Sequence, residues 1–420
     1  MRRFLLLALA FLSAMPLPAA DREANWREDI KFLVDHLSAS GHTVDLQRGI
    51  TTRGQIDFPK LYPTAPLQAA LETLDAEIPR VSDAEIVLQI MRLIASANIA
   101  HNTVYLPQDL GFRERLPLYF RWFSDGLAIN AASPEYSSAI GAHVLNIAGR
   151  TPDQLLNELA PYISHENKIW LRQQSPQLLR TVAVLRHFGL TGKDGDVSLS
   201  LQKGNDPPFT MSVKPGDPNP QRQSLAEVFR VSAPLFRSQP KAYYWHKYLE
   251  DSQTLYVQYN QCANDPKLRF SNFASKVLAD LDSHTIKRVV IDLRLNGGGD
   301  SRVIGPLEHG LAARLQKTGP IYVLIGAGTF SSAEDNALDL QRNLHAKLVG
   351  EPAGGKPSSY GEIKTLTLPN SKLVVQYTTK WFGSKTDDTL ALEPDIPAPY
   401  SLADVIAGRD PALAAAISAR

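Results

Sequence analysis

Residues 321–356 read IYVLIGAGTFSSAEDNALDLQRNLHAKLVGEPAGGK. The five apolar residues at 321–325 have the length and composition of a buried strand. Gly326, Ala327, Gly328 and Thr329 interrupt it. Beyond them Ala333, Ala337, Leu340 and Leu344 recur at helical spacing. Ser331 or Ser332 suits the N-cap, and Glu334 and Asp335 suit the positive end of the helix dipole. Residues 345–350 read as the next strand. A serine thus stands on a tight turn between a buried strand and a helix N-terminus, where backbone N–H groups face whatever its hydroxyl attacks. The plainer reading of the same two serines is helix capping alone.

Working outward, strand and helix patterns alternate across residues 243–400. Residues 254–259 form a strand, 270–281 a helix with Phe273, Val277 and Leu281 on one face, and 287–295 a buried strand that runs into Asn296-Gly297-Gly298-Gly299-Asp300. A helix is expected over 303–315. Residues 363–368 and 372–378 alternate like a hairpin around Pro369–Asn370. This order predicts an α/β core with a largely parallel sheet, whose ligands bind beyond the carboxyl ends of the strands. The glycine loop and Ser331 both lie there.

Upstream, Trp26, Ile30, Leu33 and Leu37 mark an amphipathic helix, and two more helical patterns follow at 67–77 and 82–97. In the second, Ser82 and Glu85 form a capping box and Ile86, Ile90, Leu93 and Ala97 the apolar face. His101 follows directly, at a helix-to-strand junction in IAHNTVYL. Residues 116–213 hold short strand-like runs and one helix, 151–159, a pattern of PDZ-like shape shared by many small α/β modules. Residues 214–221 (KPGDPNPQ) are dense in proline and mark the clearest boundary. The expected organisation is 1–20 signal peptide, 21–112 N-terminal helical domain, 113–213 PDZ-like domain, 214–242 linker, 243–400 catalytic core and 401–420 C-terminal helical tail.

The signal-peptide reading rests on Arg2 and Arg3, an apolar run at 4–15 and the small residues Ala19 and Ala20, and implies a periplasmic or secreted protein. No other segment has the length and apolarity of a membrane span, so no stable membrane insertion is expected. A net charge of +1 gives no argument for nucleic acid as a partner. Cys262, the one cysteine, has no internal disulfide partner and reads as a buried small hydrophobe.

Several chemistries fail on their own motifs. GEPAGGK fits GxxxxGK, yet Pro357 stands where a nucleotide loop needs a hydroxyl, and no helix follows. The NGGG loop lacks a GxGxxG pattern. The histidines are scattered, with no HExxH and no thiolate cluster, so neither metal nor cofactor is expected. A GxSxG elbow is absent, which argues against an esterase or lipase. Serine chemistry fits best. The amides of Gly298 and Ser332 are candidates for an oxyanion hole, and glycine tolerates the close approach this requires. Two bases are available. His101 has a suitable intrinsic pKa, whereas Lys356 needs burial to become neutral. Each also has a plain structural reading, as a satisfied histidine or a solvated loop lysine.

DLRLNGGG, TFSSAE and GEPAGGK together resemble the C-terminal-processing (tail-specific) serine peptidases, a superfamily that includes the tricorn core and the interphotoreceptor retinoid-binding protein. The resemblance implies a crotonase/ClpP-like catalytic core acting on peptide or unfolded protein. It implies Ser331, three residues before Glu334, as nucleophile. In the Ser–Lys branch the base lies five residues after the glutamate of the GE-P motif, which is Lys356 here. In the tricorn-like branch a histidine ahead of the PDZ-like region serves, and His101 occupies that place. Tyr360 replaces the glutamine usual to the first branch; Ala100 and Asn102 replace the usual serine and threonine flanking the histidine of the second. The overall pattern favours Ser331 with His101. Glu393 and Asp395 are candidate orienters of the histidine. The expected function is an exported serine endopeptidase; the alternative is a catalytically inactive peptide- or lipid-binding protein on the same fold.

Overall fold

In the computed structural model, residues 321–325 form the strand Ile321–Ile325 near the middle of a six-stranded sheet. The model describes residues 19–39, 43–44, 54–55, 64–216, 221–383 and 389–419. The sheet runs Tyr244–Leu249, Thr254–Tyr259, Arg288–Asp292, Ile321–Ile325, Lys347–Gly350, Ile396–Pro397. Its first pair is antiparallel and the other four pairings are parallel. All five residues of Ile321–Ile325 are buried, as a strand covered on both faces requires. Their alternation sorts them between two layers. Ile321, Val323 and Ile325 pack with the helices Phe270–Ser283, Gly305–Ala312 and Ser332–Leu344. Tyr322 and Leu324 face the other way, onto Ala412 and Ala416 of the C-terminal helix Pro411–Ser418.

Asp292 ends its strand in the core, at 0% exposure. Burial of that charge is compensated by Arg294, which contacts Asp292 at 2.5 Å and Asp410 at 2.7 Å. The guanidinium therefore ties the end of a central strand to the N-cap of the C-terminal helix.

The second body of the fold is a six-stranded antiparallel sheet whose main path runs Leu118–Phe123, Gly126–Ala132, His143–Ile147, Val197–Gln202, Phe209–Val213. The helices Pro152–Leu159, Lys168–Leu179 and Val182–His187 fall between its third and fourth strands. Thr151 caps the first of them in a box with Gln154. Residues 223–224, inside the expected linker, pair with Gly126–Ala132 instead of running free.

The N-terminal helix spans Ala19–Ala39 and buries Trp26, Ile30, Leu33 and Leu37, the stripe read from the sequence. Of the expected signal peptide, residues 1–18 lie outside the described residues. Ser82 caps Asp83–Ala95, whose buried face is wider than expected and includes Val87, Leu88, Met91 and Ile94. One hydrophobic core runs continuously from these helices through the middle sheet to Leu402 and Val405. Among the described residues no helix is long and apolar enough to cross a membrane.

A third, small sheet joins distant parts of the chain. Thr103–Val104 pairs antiparallel with Val374–Phe382, which pairs with Ser359–Thr367. Gln376 Nε2 donates to the His101 carbonyl at 2.7 Å, and the Thr378 amide donates to Asn102 Oδ1 at 3.0 Å. His101 is thereby fixed to the hairpin that follows the nucleophile segment.

Candidate active site

The turn before the helix is built by backbone crowding. Thr329 Oγ1 donates to the Leu293 carbonyl and accepts from the Gly326 amide. A Cβ on Gly328 would lie 2.5 Å from the Arg294 carbonyl, so the two loops touch backbone to backbone. Phe330 N–H donates to the Asn296 carbonyl at 3.1 Å. The chain then enters Ser331 at φ 57°, ψ −131°, a conformation that costs a side-chain-bearing residue about 1–3 kcal/mol.

This conformation sets the two serines apart. Ser331 occupies the N-cap position of Ser332–Leu344, yet its side chain makes no capping hydrogen bond. Ser332 Oγ is engaged, donating to the Gly299 carbonyl at 2.7 Å. The hydroxyl left for other work is that of Ser331, which lines a cavity of about 850 Å³ together with His101, Gly297, Gly299 and Phe330. A second cavity, of about 430 Å³, is lined by Ser331, Ser332, His101, Lys356, Glu334 and Glu362 among others. The structure thus brings Ser331, Ser332, His101 and Lys356 together.

His101 lies against the Phe330 ring at 4.5 Å between centroids, and Phe330 stacks on Trp170 at 3.8 Å and 10°. Both imidazole nitrogens are buried without a hydrogen-bond partner among the described residues. Burial pushes the imidazole down to about 4, so the ring is neutral at pH 7. It makes no hydrogen bond to Ser331 in this state.

Gly298 has φ 104°, and a Cβ there would meet Ser331 Cβ at 2.7 Å and Ser332 N at 3.1 Å. Its amide is occupied, donating to Asn296 Oδ1 at 2.9 Å. The Ser332 N–H has no acceptor among the described residues. Asn296 is the organiser of this loop. It is fully buried, and its Nδ2 donates to the Tyr259 carbonyl while its Oδ1 also accepts from Cys262 Sγ. Burial pushes the Cys262 thiol up to about 12, in keeping with a packing role.

Lys356 belongs to a cluster that sequence reasoning did not assemble. Burial pushes the Glu166 carboxyl up to about 7, against the opposing charge of Lys356 and a bond from the Ala100 amide. Burial, with Asp335 and Glu166 adding like charge, holds Glu334 well above the usual carboxylate range. Glu166 Oε2 and Glu334 Oε1 are both buried without partners among the described residues. Next to Glu166, Asn167 Nδ2 donates to the carbonyls of Gly354, Gly355 and Leu390, clamping the middle module onto the lysine loop. Glu362, at φ 50° and paired with Lys380 at 2.6 Å, also lines both cavities. Neither Glu393 nor Asp395 lines either cavity. Asp395 accepts from the Leu348 amide and Gln341, and Glu393 is exposed. Among the described residues no group of three or more His, Cys, Asp or Glu is placed to hold a metal ion.

Residues 306–398 match the family model of peptidase family S41. That stretch contains Ser331, Ser332 and Lys356; Gly298 and His101 precede it. Among solved structures, mature CPAF complexed with lactacystin gives a TM-score of 0.62 at 14% identity, over 92% of this chain and 96% of that one. Mature CPAF gives 0.61 at 14% identity, over 91% and 94%. At that identity the likeness is one of fold. The photosystem II D1 C-terminal processing protease matches over 93% of this chain and 98% of that one, at 14% identity and a TM-score of 0.37. No curated protein matches the sequence.

Proposed function

We propose, from the match of residues 306–398 to peptidase family S41, that the protein is an exported serine endopeptidase with Ser331 as nucleophile and His101 as base. The observation that carries this reading is Ser331 itself, held at positive φ with its hydroxyl released from capping and turned over to a cavity that it shares with His101. Ser331 Oγ attacks the peptide carbonyl carbon while His101 takes the hydroxyl proton. The tetrahedral oxyanion forms next to the Ser332 amide, at the positive end of Ser332–Leu344. The Gly298 amide joins as second donor by exchanging Asn296 Oδ1 for the oxyanion. Collapse breaks the C–N bond, the proton passes from His101 to the leaving amine, and water repeats the cycle on the acyl-enzyme.

A neutral imidazole at pH 7 suits this role. Lys356, which faces Glu166, serves as an electrostatic partner beside the site rather than as base. The middle module takes the substrate as an added strand, the mode by which open sheet edges hold extended peptides. Unstructured protein is the substrate class that meets both demands. A second reading, a peptide- or lipid-binding protein without turnover, is favoured by the missing hydrogen bond between His101 and Ser331.

The test is cleavage of casein and of unstructured peptides by wild type, Ser331→Ala, His101→Ala and Lys356→Ala. Loss with the first two and survival of the third is the expected result. Survival of His101→Ala with loss of Lys356→Ala transfers the base to lysine, and no cleavage by folded wild type supports the binding reading. Export is checked by N-terminal sequencing of the protein recovered outside the cytoplasm; retention of Met1 there removes the signal-peptide reading.

A further inference from the structure

A third cavity of about 710 Å³ lies between the middle module and the core, beyond the carboxyl ends of Ile321–Ile325 and Lys347–Gly350. One wall is Leu118–Phe123 and Lys168–Leu179; the other includes 325–328, Gly350, Glu351 and Tyr400. Trp170 and Gly297 line both this cavity and the one that holds Ser331. Its lining is strongly unbalanced in charge, with Arg121, Arg172, Arg222, Arg237 and Arg294 against a single carboxylate, Glu351.

Three of these guanidiniums have ordinary explanations. Arg294 is neutralised by Asp292 and Asp410, Arg172 reaches Asp153, and Arg222 faces the Glu227 carboxylate outside the cavity. Arg121 and Arg237 do not. Neither has a carboxylate within ion-pairing distance among the described residues, and both are held in place by aromatic faces. Arg121 lies over Phe123 and Tyr400 at 4.9 and 5.4 Å, and Arg237 over Phe236 at 5.0 Å. Arg237 Nε is buried with no hydrogen-bond partner among the described residues. The charge of Arg121, ahead of burial, pushes Arg237 down to about 9, which places the two cations close enough to repel. Both cations are half-buried in one cavity, one donor of Arg237 is unmet, and the single carboxylate Glu351 acts on Arg121; the pair therefore carries more positive charge than its surroundings offset, an excess that an anion would relieve.

We propose that Arg121 and Arg237 form an oxyanion-binding site, separate from the catalytic serine, in which one carboxylate or phosphate group bridges the two guanidinium forks. The fork geometry matches either anion through paired N–H donors, and the aromatic walls accommodate the body of the molecule that carries it. The site spans the seam between module and core, so its ligand fastens one to the other. This inference does not depend on peptidase activity.

The test uses the full Ser331→Ala chain, so that turnover plays no part, and calorimetric titration with three probes: inorganic phosphate, a short peptide with a free C-terminal carboxylate, and the same peptide amidated. Binding of phosphate, or of the acid peptide at least about tenfold more tightly than its amide, is expected, with Arg121→Gln and Arg237→Gln each losing about tenfold or more. Phosphate binding identifies a free oxyanion as source; binding of the acid peptide alone identifies a chain end. Near-UV circular dichroism checks that each variant is folded. Arg237→Lys, which keeps the charge and removes the fork, replaces any Gln variant that is not, and its expected loss is intermediate. No binding by any probe, or binding that survives both Gln variants at undiminished affinity, overturns the assignment.

Discussion

Gly298→Ala is the sharpest probe of the site, because the perturbation is one methyl group whose neighbours are known. The new Cβ would stand 2.7 Å from Ser331 Cβ, 3.0 Å from the Phe330 carbonyl oxygen and 3.1 Å from the Ser332 nitrogen. Two of these are backbone atoms, which cannot rotate away. Reaching ordinary carbon–carbon contact, about 3.5–4.0 Å, moves Ser331 Cβ by about 1 Å relative to the glycine loop. A displacement of that size in a reacting group costs about 10²-fold in rate. Alanine at φ 104° adds backbone strain of about 1–2 kcal/mol. The expected result is therefore a loss of about 10²-fold in kcat/KM carried by kcat, with a stability loss of about 1–2 kcal/mol measured by urea denaturation. Gly305→Ala is the control: nothing lies within 4 Å of its added Cβ, and it stands at the start of Gly305–Ala312, away from both cavities. Gly298→Ala with activity within threefold of wild type, in folded protein, refutes the claim that this loop and Ser331 form one rigid unit.

Further outcomes follow from the same structure. Since burial holds His101 at about 4, its charge change lies below the ordinary histidine range, and the acid limb of kcat/KM falls near pH 4; a limb at pH 6–7 contradicts the buried imidazole. The stabilisation from keeping His101 neutral is present above its unfolded value of 6.5 and is lost as pH falls towards 4. Glu166 runs in the opposite direction: its raised pKa gives stability fully present below 4.5 and lost as pH rises through about 7, so Glu166→Gln should flatten a slope of about 3 kcal/mol between pH 4 and pH 8 in denaturant titrations. Trp170→Ala removes the stack on Phe330, worth about 1 kcal/mol, and frees the ring on which His101 rests; kcat/KM should fall more than tenfold while the far-UV spectrum is kept. Asp410→Ala leaves Arg294 with one partner in the core, and a loss of about 3–5 kcal/mol in unfolding free energy is expected.

The layout of the core was legible because its signals are local. The run at 321–325 is apolar throughout since the strand is buried on both faces, and the helix after it keeps its stripe at 333, 337, 340 and 344. Ser331 was legible as a residue and not as a conformation. Its sequence context is that of a cap, and only the crowding of Gly298 against the turn reveals that the side chain has been withdrawn from capping. Glu166, Trp170 and Glu362 were not legible as site residues. Trp170 and Glu362 line the serine's cavity from the middle module and from a hairpin, Glu166 faces Lys356 beside it, and no spacing in the chain encodes such a meeting. His101 was found by motif, but its missing partners, and hence its low pKa, depend on Phe330 and the surrounding walls. The orienting carboxylates expected at Glu393 and Asp395 failed for the same reason: proximity in sequence to a strand end says nothing about which face of the sheet a side chain serves.

The three-stranded sheet that joins Thr103–Val104 to Val374–Phe382 has a consequence for the order of events in the cell. A ribosome releases His101 long before Ser331, and the strand that grips the histidine's neighbours emerges later still. Until residues 374–378 are made and threaded against 102–105, no nascent or truncated chain holds the proposed base and the proposed nucleophile together. On the proposed roles, fragments ending before that strand, and a core expressed without its N-terminal helices, are expected to be inert. Under that reading the protein would acquire the power to cut only once nearly all of it has been synthesised.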